Sequence, residues 1–214
     1  MKYSHIVWDF NGTILDDLNP CIDVLASMMN KRNLGCISKE EYLAVFGFPI
    51  KSYYEKLGFD FSKEDYGIMA NEWSKLYKAA AEDCGICVGV AEALNYFKSL
   101  GLPQYILSAT EHGMLTEQVT SLGIDGYFTE LLALKDFHAV SKVSLGKEWA
   151  EKTKPDRVLF IGDTVHDYET AAAMGAECVL IAAGHQCRER LKVCGVPILN
   201  SATELIEFFN QNNI

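Results

Sequence analysis

At 214 residues, 49% of them hydrophobic and 22% charged, the chain is long enough for one α/β domain carrying a smaller insertion and too short for two large domains. Its formal net charge of −10 repels the phosphate backbone that dominates nucleic-acid affinity, so DNA and RNA are not expected partners and an anionic substrate needs a local cationic site. No run approaches the roughly 18 apolar residues of a membrane span, and seven cysteines without a secretion signal read as free thiols, so a cytoplasmic protein with no membrane partner is expected. Ile6-Val7-Trp8 is an apolar run that reads as a buried strand, and Asn11-Gly12 directly after it marks a turn. From Asp17 to about Glu82 the spacing predicts helices over Cys21 to Met29, Lys39 to Phe46, Ile50 to Leu57 and Tyr66 to Ala81. Cys84-Gly85-Ile86-Cys87 follows. It has redox or half-zinc spacing, but no second pair completes a zinc site, and two incidental thiols near a domain junction are expected.

Strand and helix then alternate. A helix over Val90 to Leu100, stopped by Gly101 and Pro103, leads to a strand from Gln104 to Leu107 that ends at Ser108. A helix from about Gly113 to Leu122, a weak strand near Tyr127-Phe128 and a helix from Ser144 to Lys152 precede the apolar run Val158 to Ile161. Gly162-Asp163 and a helix from Tyr168 to Met174 come next, then a strand over Cys178 to Ala182 and a closing helix over Ala202 to Asn210. Such alternation predicts an α/β fold, a Rossmann-like, three-layer, doubly wound parallel sheet with an inserted helical domain. The expected division is a core of 1–16 and 83–214 and a helical cap of 17–82. Ligands of such sheets bind outside the carboxyl ends of the strands, where Asp9, Ser108 and Asp163 fall.

Asp9 alone is compatible with ordinary turn chemistry, and Asp163 and Asp167 with helix capping. Converging on one sheet edge, however, three carboxylates repel one another, and a divalent cation with oxygen ligands, Mg²⁺ by its hardness, relieves that repulsion. Ser108 offers a hydroxyl and Lys142 a point charge for a phosphoryl group.

Asp9-Phe10-Asn11-Gly12-Thr13, Ser108, Lys142 and Gly162-Asp163 through Asp167 resemble, in order, the four motifs of the haloacid-dehalogenase superfamily, DxDGT, a strand-end Ser or Thr, a Lys and GDxxxD. The insertion resembles the C1 cap of the phosphoglycolate phosphatase and β-phosphoglucomutase branch. The resemblance implies a phosphatase of small phosphorylated metabolites in which Asp9 is the nucleophile. It also implies Mg²⁺ on the Asp9 carboxylate, the backbone carbonyl of Asn11 and Asp163, with Asp167 beside it orienting Lys142 or a metal-bound water. Gly12, Thr13, Ser108, Ala109 and Lys142 would bind the phosphoryl group, and Lys51, in the stretch Gly47 to Lys51, resembles part of a cap loop that contacts substrate. Two departures stand out. Lys142 lacks a following proline and has Lys147 as a competitor, and Asn11 occupies the position of a second Asp that serves as general acid and base. An amide cannot shuttle that proton, so either the leaving group is good, or Glu111, His112 or His166 substitutes, or the protein binds phosphate ligands with little turnover. A phosphonoacetaldehyde hydrolase-like reaction through Lys51 is a further alternative.

Overall fold

The computed structural model describes residues 2–134 and 141–212. Its core is a six-stranded, all-parallel sheet in the order β3-β2-β1-β4-β5-β6, formed by β1 (His5–Trp8), β2 (Gln104–Glu111), β3 (Phe128–Leu134), β4 (Val158–Gly162), β5 (Glu177–Ile181) and β6 (Ile198–Leu199). β1 is central. It pairs Val7 with Tyr105 on one side and with Phe160 on the other, so the chain winds outward in both directions and leaves a switch point at the carboxyl ends of β1 and β4.

Alternate residues of each strand point to opposite faces. On one face Ile6, Trp8, Ile106 and Ile161 pack with Leu94 and Phe97 of α5 (Val90–Ser99), Leu115 of α6 (His112–Ser121) and Phe209 of the closing helix Leu205–Asn212. On the other, Val7, Leu107, Phe160 and Leu180 pack with Trp149 of α7 (Lys142–Thr153) and Ala171 of α8 (Val165–Met174). Both faces are covered, as the unbroken apolar runs of β1 and β4 require.

Between β1 and α5 the chain forms α1 (Leu18–Lys31), α2 (Lys39–Val45), α3 (Ile50–Lys56) and α4 (Tyr66–Ala80). These helices share a separate apolar cluster that includes Leu25, Met28, Tyr42, Tyr54, Phe59 and Met69. The two crossings into this helical region run side by side, with Asp16 N donating to Gly85 O at 3.0 Å and Cys87 N to Ile14 O at 2.8 Å. All seven cysteines are free thiols, Cys84 and Cys87 among them.

The boundaries of four elements differ from the sequence reading. β3 is a full seven-residue strand; as the sheet edge its pattern is only half buried, which blurs the alternation. α7 begins at Lys142 and α8 at Val165 because Ser141 accepts from Ser144 N and Thr164 from Asp167 N as N-caps. β2 continues past Ser108 to Glu111. β6, two residues long, has no sequence signal.

Candidate active site

A cavity of about 390 Å³ lies between the sheet edge and the helical insertion. Asp9 and Asp163 extend from β1 and β4 to its floor, and Asp167 comes from the first turn of α8. One carboxylate oxygen from each of the three lies within 4.8 Å of the others, and all three residues are buried. Burial, and then the charge of Asp167, push the Asp9 carboxyl well above the ordinary carboxylate range. Burial raises Asp163 to about 6, with Asp167 adding to the effect and His185 working against it.

Lys142, itself 4% exposed, places Nζ between Asp9 Oδ1 and Asp167 Oδ1. Burial opposes its charge, but the two carboxylates outweigh that and hold it above the usual lysine value. Asp167 is fully engaged: Oδ1 meets Lys142, while Oδ2 accepts from Asp163 N at 3.1 Å, Thr164 N at 2.9 Å and Thr164 Oγ1 at 2.6 Å. It therefore caps α8 and fixes the lysine at once. Burial opposes ionisation of Asp167, yet Lys142 and these donors keep its pKa low. Asp163 is engaged too, Oδ1 accepting from Thr13 Oγ1 at 3.0 Å and Oδ2 from His185 N at 2.5 Å, but its donors are neutral; the mutual repulsion and hard oxygen donors of the three carboxylates fit a divalent cation of the Mg²⁺ type.

Beside this group lies a second buried cluster. His185 Nε2 is 3.1 Å from Asp17 Oδ1 and Nδ1 is 2.9 Å from Tyr42 Oη of α2. Tyr77 Oη of α4 donates to Asp17 Oδ2 at 2.6 Å. Burial disfavours the imidazolium, but Asp17 outweighs it and lifts His185 to about 9; burial likewise opposes charge on Asp17, and His185 keeps that carboxyl below its ordinary value. The Asn11 amide is locked into this network, donating to Asp17 Oδ2 at 2.8 Å and accepting from Thr110 Oγ1 at 2.7 Å.

The sequence model of the haloacid dehalogenase-like hydrolase family matches residues 6–181. The chain belongs to that family. A phosphoglycolate phosphatase from Synechococcus elongatus is 21% identical over 96% of this chain and 97% of its own length. Among solved structures, a haloacid dehalogenase-like hydrolase from Streptococcus pneumoniae aligns with a TM-score of 0.84 at 16% identity, covering 97% of this chain and 99% of that one. A haloacid dehalogenase-like protein from Agrobacterium tumefaciens aligns at 0.81 and 22% identity over 99% and 100%.

In this hydrolase Asp9, Asn11, Ser108, Ala109, Lys142, Asp163 and Asp167 all line the cavity. Ser108 donates its hydroxyl proton to Thr110 Oγ1 and accepts from Thr110 N, each at 3.0 Å. Three expected phosphoryl or substrate ligands are placed otherwise. Thr13 is buried and donates to Asp163 Oδ1 at 3.0 Å, so it positions a carboxylate. The Gly12 N–H already serves Leu15 O at 3.0 Å and Asp17 Oδ1 at 2.9 Å. What Gly12 contributes is space: its φ is +74°, and a Cβ there would fall 2.4 Å from His185 Cδ2. Lys51 is exposed outside the cavity, with Nζ over the Phe61 ring at 5.6 Å. That removes the residue on which a phosphonoacetaldehyde hydrolase-like reaction would depend. Lys147 is exposed on α7 and Lys142 is the lysine at the site.

Of the candidate substitute acids, His112 is exposed and His166 stacks on Phe48 with ring centroids 4.3 Å apart, outside the cavity. Glu111 lines the cavity but caps α6, accepting from Gly113 N at 2.8 Å and Met114 N at 3.0 Å. Asp17, Tyr42, Tyr77 and His185 went unread in the sequence. His185 follows Gly184 just beyond the end of β5, so the strand-end rule that marks Asp9, Ser108 and Asp163 extends to it.

Proposed function

We propose that the chain is a Mg²⁺-dependent phosphatase of small phosphate monoesters, with Asp9 as nucleophile. The observation that carries this reading is the Asp9 carboxylate at the end of the central strand, held by Lys142 and facing Asp163. Asp9 would attack phosphorus and expel the leaving group, giving an aspartyl phosphate that water hydrolyses to phosphate and free Asp9. Lys142 and the Ser108 hydroxyl would bind the phosphoryl oxygens once substrate displaces the lysine from Asp9. Asp167 would hold Lys142 in place throughout. Asp9, Asp163 and the backbone carbonyl of Asn11 would hold the cation, which supplies charge stabilisation to the phosphoryl oxygens. Ordinary small phosphorylated metabolites are the substrate class this implies.

A second reading, a phosphate-ligand-binding protein with little turnover, rests on the hydrogen-bonded amide of Asn11 in place of an acid. Phosphate release from acetyl phosphate and a panel of monoesters, with Mg²⁺ and with excess chelator, separates them. The phosphatase reading expects turnover that chelation stops. Tight calorimetric binding of the same compounds without phosphate release would favour the second reading.

A further inference from the structure

The far side of the cavity differs chemically from its floor. α4 turns Tyr66, Ala70, Trp73, Ser74 and Tyr77 toward it, a spacing of i, i+4, i+7, i+8 and i+11 that defines one helix face. Trp73 and Tyr77 stack at 4.6 Å and 8°, and Phe46, Ile50 and Tyr53 complete a largely aromatic wall whose polar groups, the Asn71 amide and the Ser74 and tyrosine hydroxyls, are uncharged. Its volume falls in the range of about 300–1,000 Å³ typical of sites that bury small-molecule ligands.

Among the described residues, the cations lining this cavity are Lys142 and His185, and both are committed to carboxylates on the sheet side. The cap wall contributes no cation: Lys51 lies outside over Phe61. Glu111, held ionised by the N–H groups of Gly113 and Met114, adds negative charge to the lining. A second anionic group on a substrate would thus meet neutral donors but no free cation, which leaves its charge uncompensated and is costly.

The locked Asn11 amide points the same way. With an amide rather than a carboxylic acid at position 11, departure as an anion is eased when the leaving oxygen is phenolic, with a conjugate-acid pKa of about 10 as for tyrosine, rather than an alkoxide. Resting on the phosphatase reading above, we propose that the substrate is a phosphate monoester of an uncharged aryl alcohol whose ring packs against the Trp73–Tyr77 wall. Asp9 forms the new bond to phosphorus as the phosphorus–oxygen bond to the ring breaks. The aryloxide leaves with the electron pair and is protonated by water, and a second water cleaves the aspartyl phosphate. Substrates with a carboxylate or further phosphate on the leaving group are disfavoured.

The test compares kcat/KM, with Mg²⁺, for 4-methylphenyl phosphate and 4-(carboxymethyl)phenyl phosphate, whose leaving groups are nearly matched in basicity so that the ratio reads the charge of the tail. Acetyl phosphate, with no tail, reports the phosphoryl chemistry by itself. Calorimetry with benzylphosphonate and 4-carboxybenzylphosphonate reads the same preference without turnover. The neutral member of each pair should win by at least about tenfold, the low end for a carboxylate left unpaired in a desolvated site. Ser74→Lys, which places a cation on the cavity face of α4, should narrow both ratios by about tenfold. Hydrolysis of acetyl phosphate with equal or reversed preference in the aryl pair would overturn the aryl assignment and leave the phosphatase reading standing. Inert acetyl phosphate would end the phosphatase reading, and equal binding of the two phosphonates would then end the aryl preference as well.

Discussion

Two buried charge clusters sit side by side under the helical cap, and they are balanced differently. Asp9 and Asp167 share a single lysine while Asp163 accepts from the Thr13 hydroxyl and the His185 backbone N–H, and burial lifts the Asp9 and Asp163 carboxyls above the ordinary range. Asp17 instead pairs directly with the His185 ring and has Tyr77 Oη, the Asn11 amide and Gly12 N–H as further donors, and its pKa falls. The first cluster holds three carboxylates against one ammonium, an excess of negative charge that supports the proposed cation and phosphoryl site. The second matches its one carboxylate with an imidazole, and it ties α2 and α4 to the sheet through Tyr42 and Tyr77. Proximity of charges alone does not mark a reactive centre; the shortfall of partners does.

The contrast is easiest to break at Asp9. Asp9→Asn should cut turnover of acetyl phosphate by at least about a thousandfold, since an amide is no usable nucleophile. It should hold or raise the melting temperature, because it removes one of three repelling charges. Rates beside a thermal melt decide this, and a large loss of stability would place Asp9 in the architectural class. His185→Leu should do the reverse to the second cluster, leaving Asp17 buried without its cation at about 3–5 kcal/mol in urea denaturation. His185 titrates at about 9 in the folded chain, above the ordinary 6.5 or so. Its stabilisation is therefore full below pH 6.5 and lost as pH rises through about 9. In His185→Leu that slope should flatten.

Asn11 joins the clusters, and Asn11→Asp sharpens the distinction. A carboxyl there would meet Asp17 across the present 2.8 Å contact, costing about 1–2 kcal/mol of stability. The same repulsion raises its pKa, which suits a general acid, so alkyl phosphates should gain about tenfold while aryl phosphates gain less. Parallel rates on a matched alkyl and aryl pair, with intact mass to exclude deamidation of the parent, check it. The smallest expected effect is the Mg²⁺ response. Without metal, Asp163 titrates at about 6, so the folded state binds a proton more tightly than the unfolded chain and stability falls as pH rises from about 4 through 6. Mg²⁺ competes with that proton, and its upward shift of the melting temperature, a few degrees at about ten times Kd, should be larger at pH 7 than at pH 5.

Much of the fold was legible because buried parallel strands are written as continuous apolar runs, as in Ile6 to Trp8 and Val158 to Ile161, and because strand ends gather the polar chemistry. β3 was faint because an edge strand has only one well-buried stretch. The Asp17–His185 pair was invisible for a different reason: its members are 168 residues apart, and neither has a local pattern that predicts the other. Lys51 shows a signal that was present and not used. Ile50, Tyr53 and Tyr54 mark the inward stripe of α3, and the residue after Ile50 turns away from it. Asp167 had two readings in the sequence, helix cap and functional carboxylate, and its two oxygens serve one each.

The tryptophans are distributed so that the cavity has its own optical reporter. Trp8 and Trp149 are packed in the two faces of the sheet, while Trp73 is half buried in the cap wall, stacked on Tyr77. An aromatic ligand seated against that pair would alter the emission of one indole of three and leave the others in an unchanged environment. Titrating intrinsic fluorescence therefore follows occupancy of the leaving-group side directly, in any compound, whether or not a bond is broken.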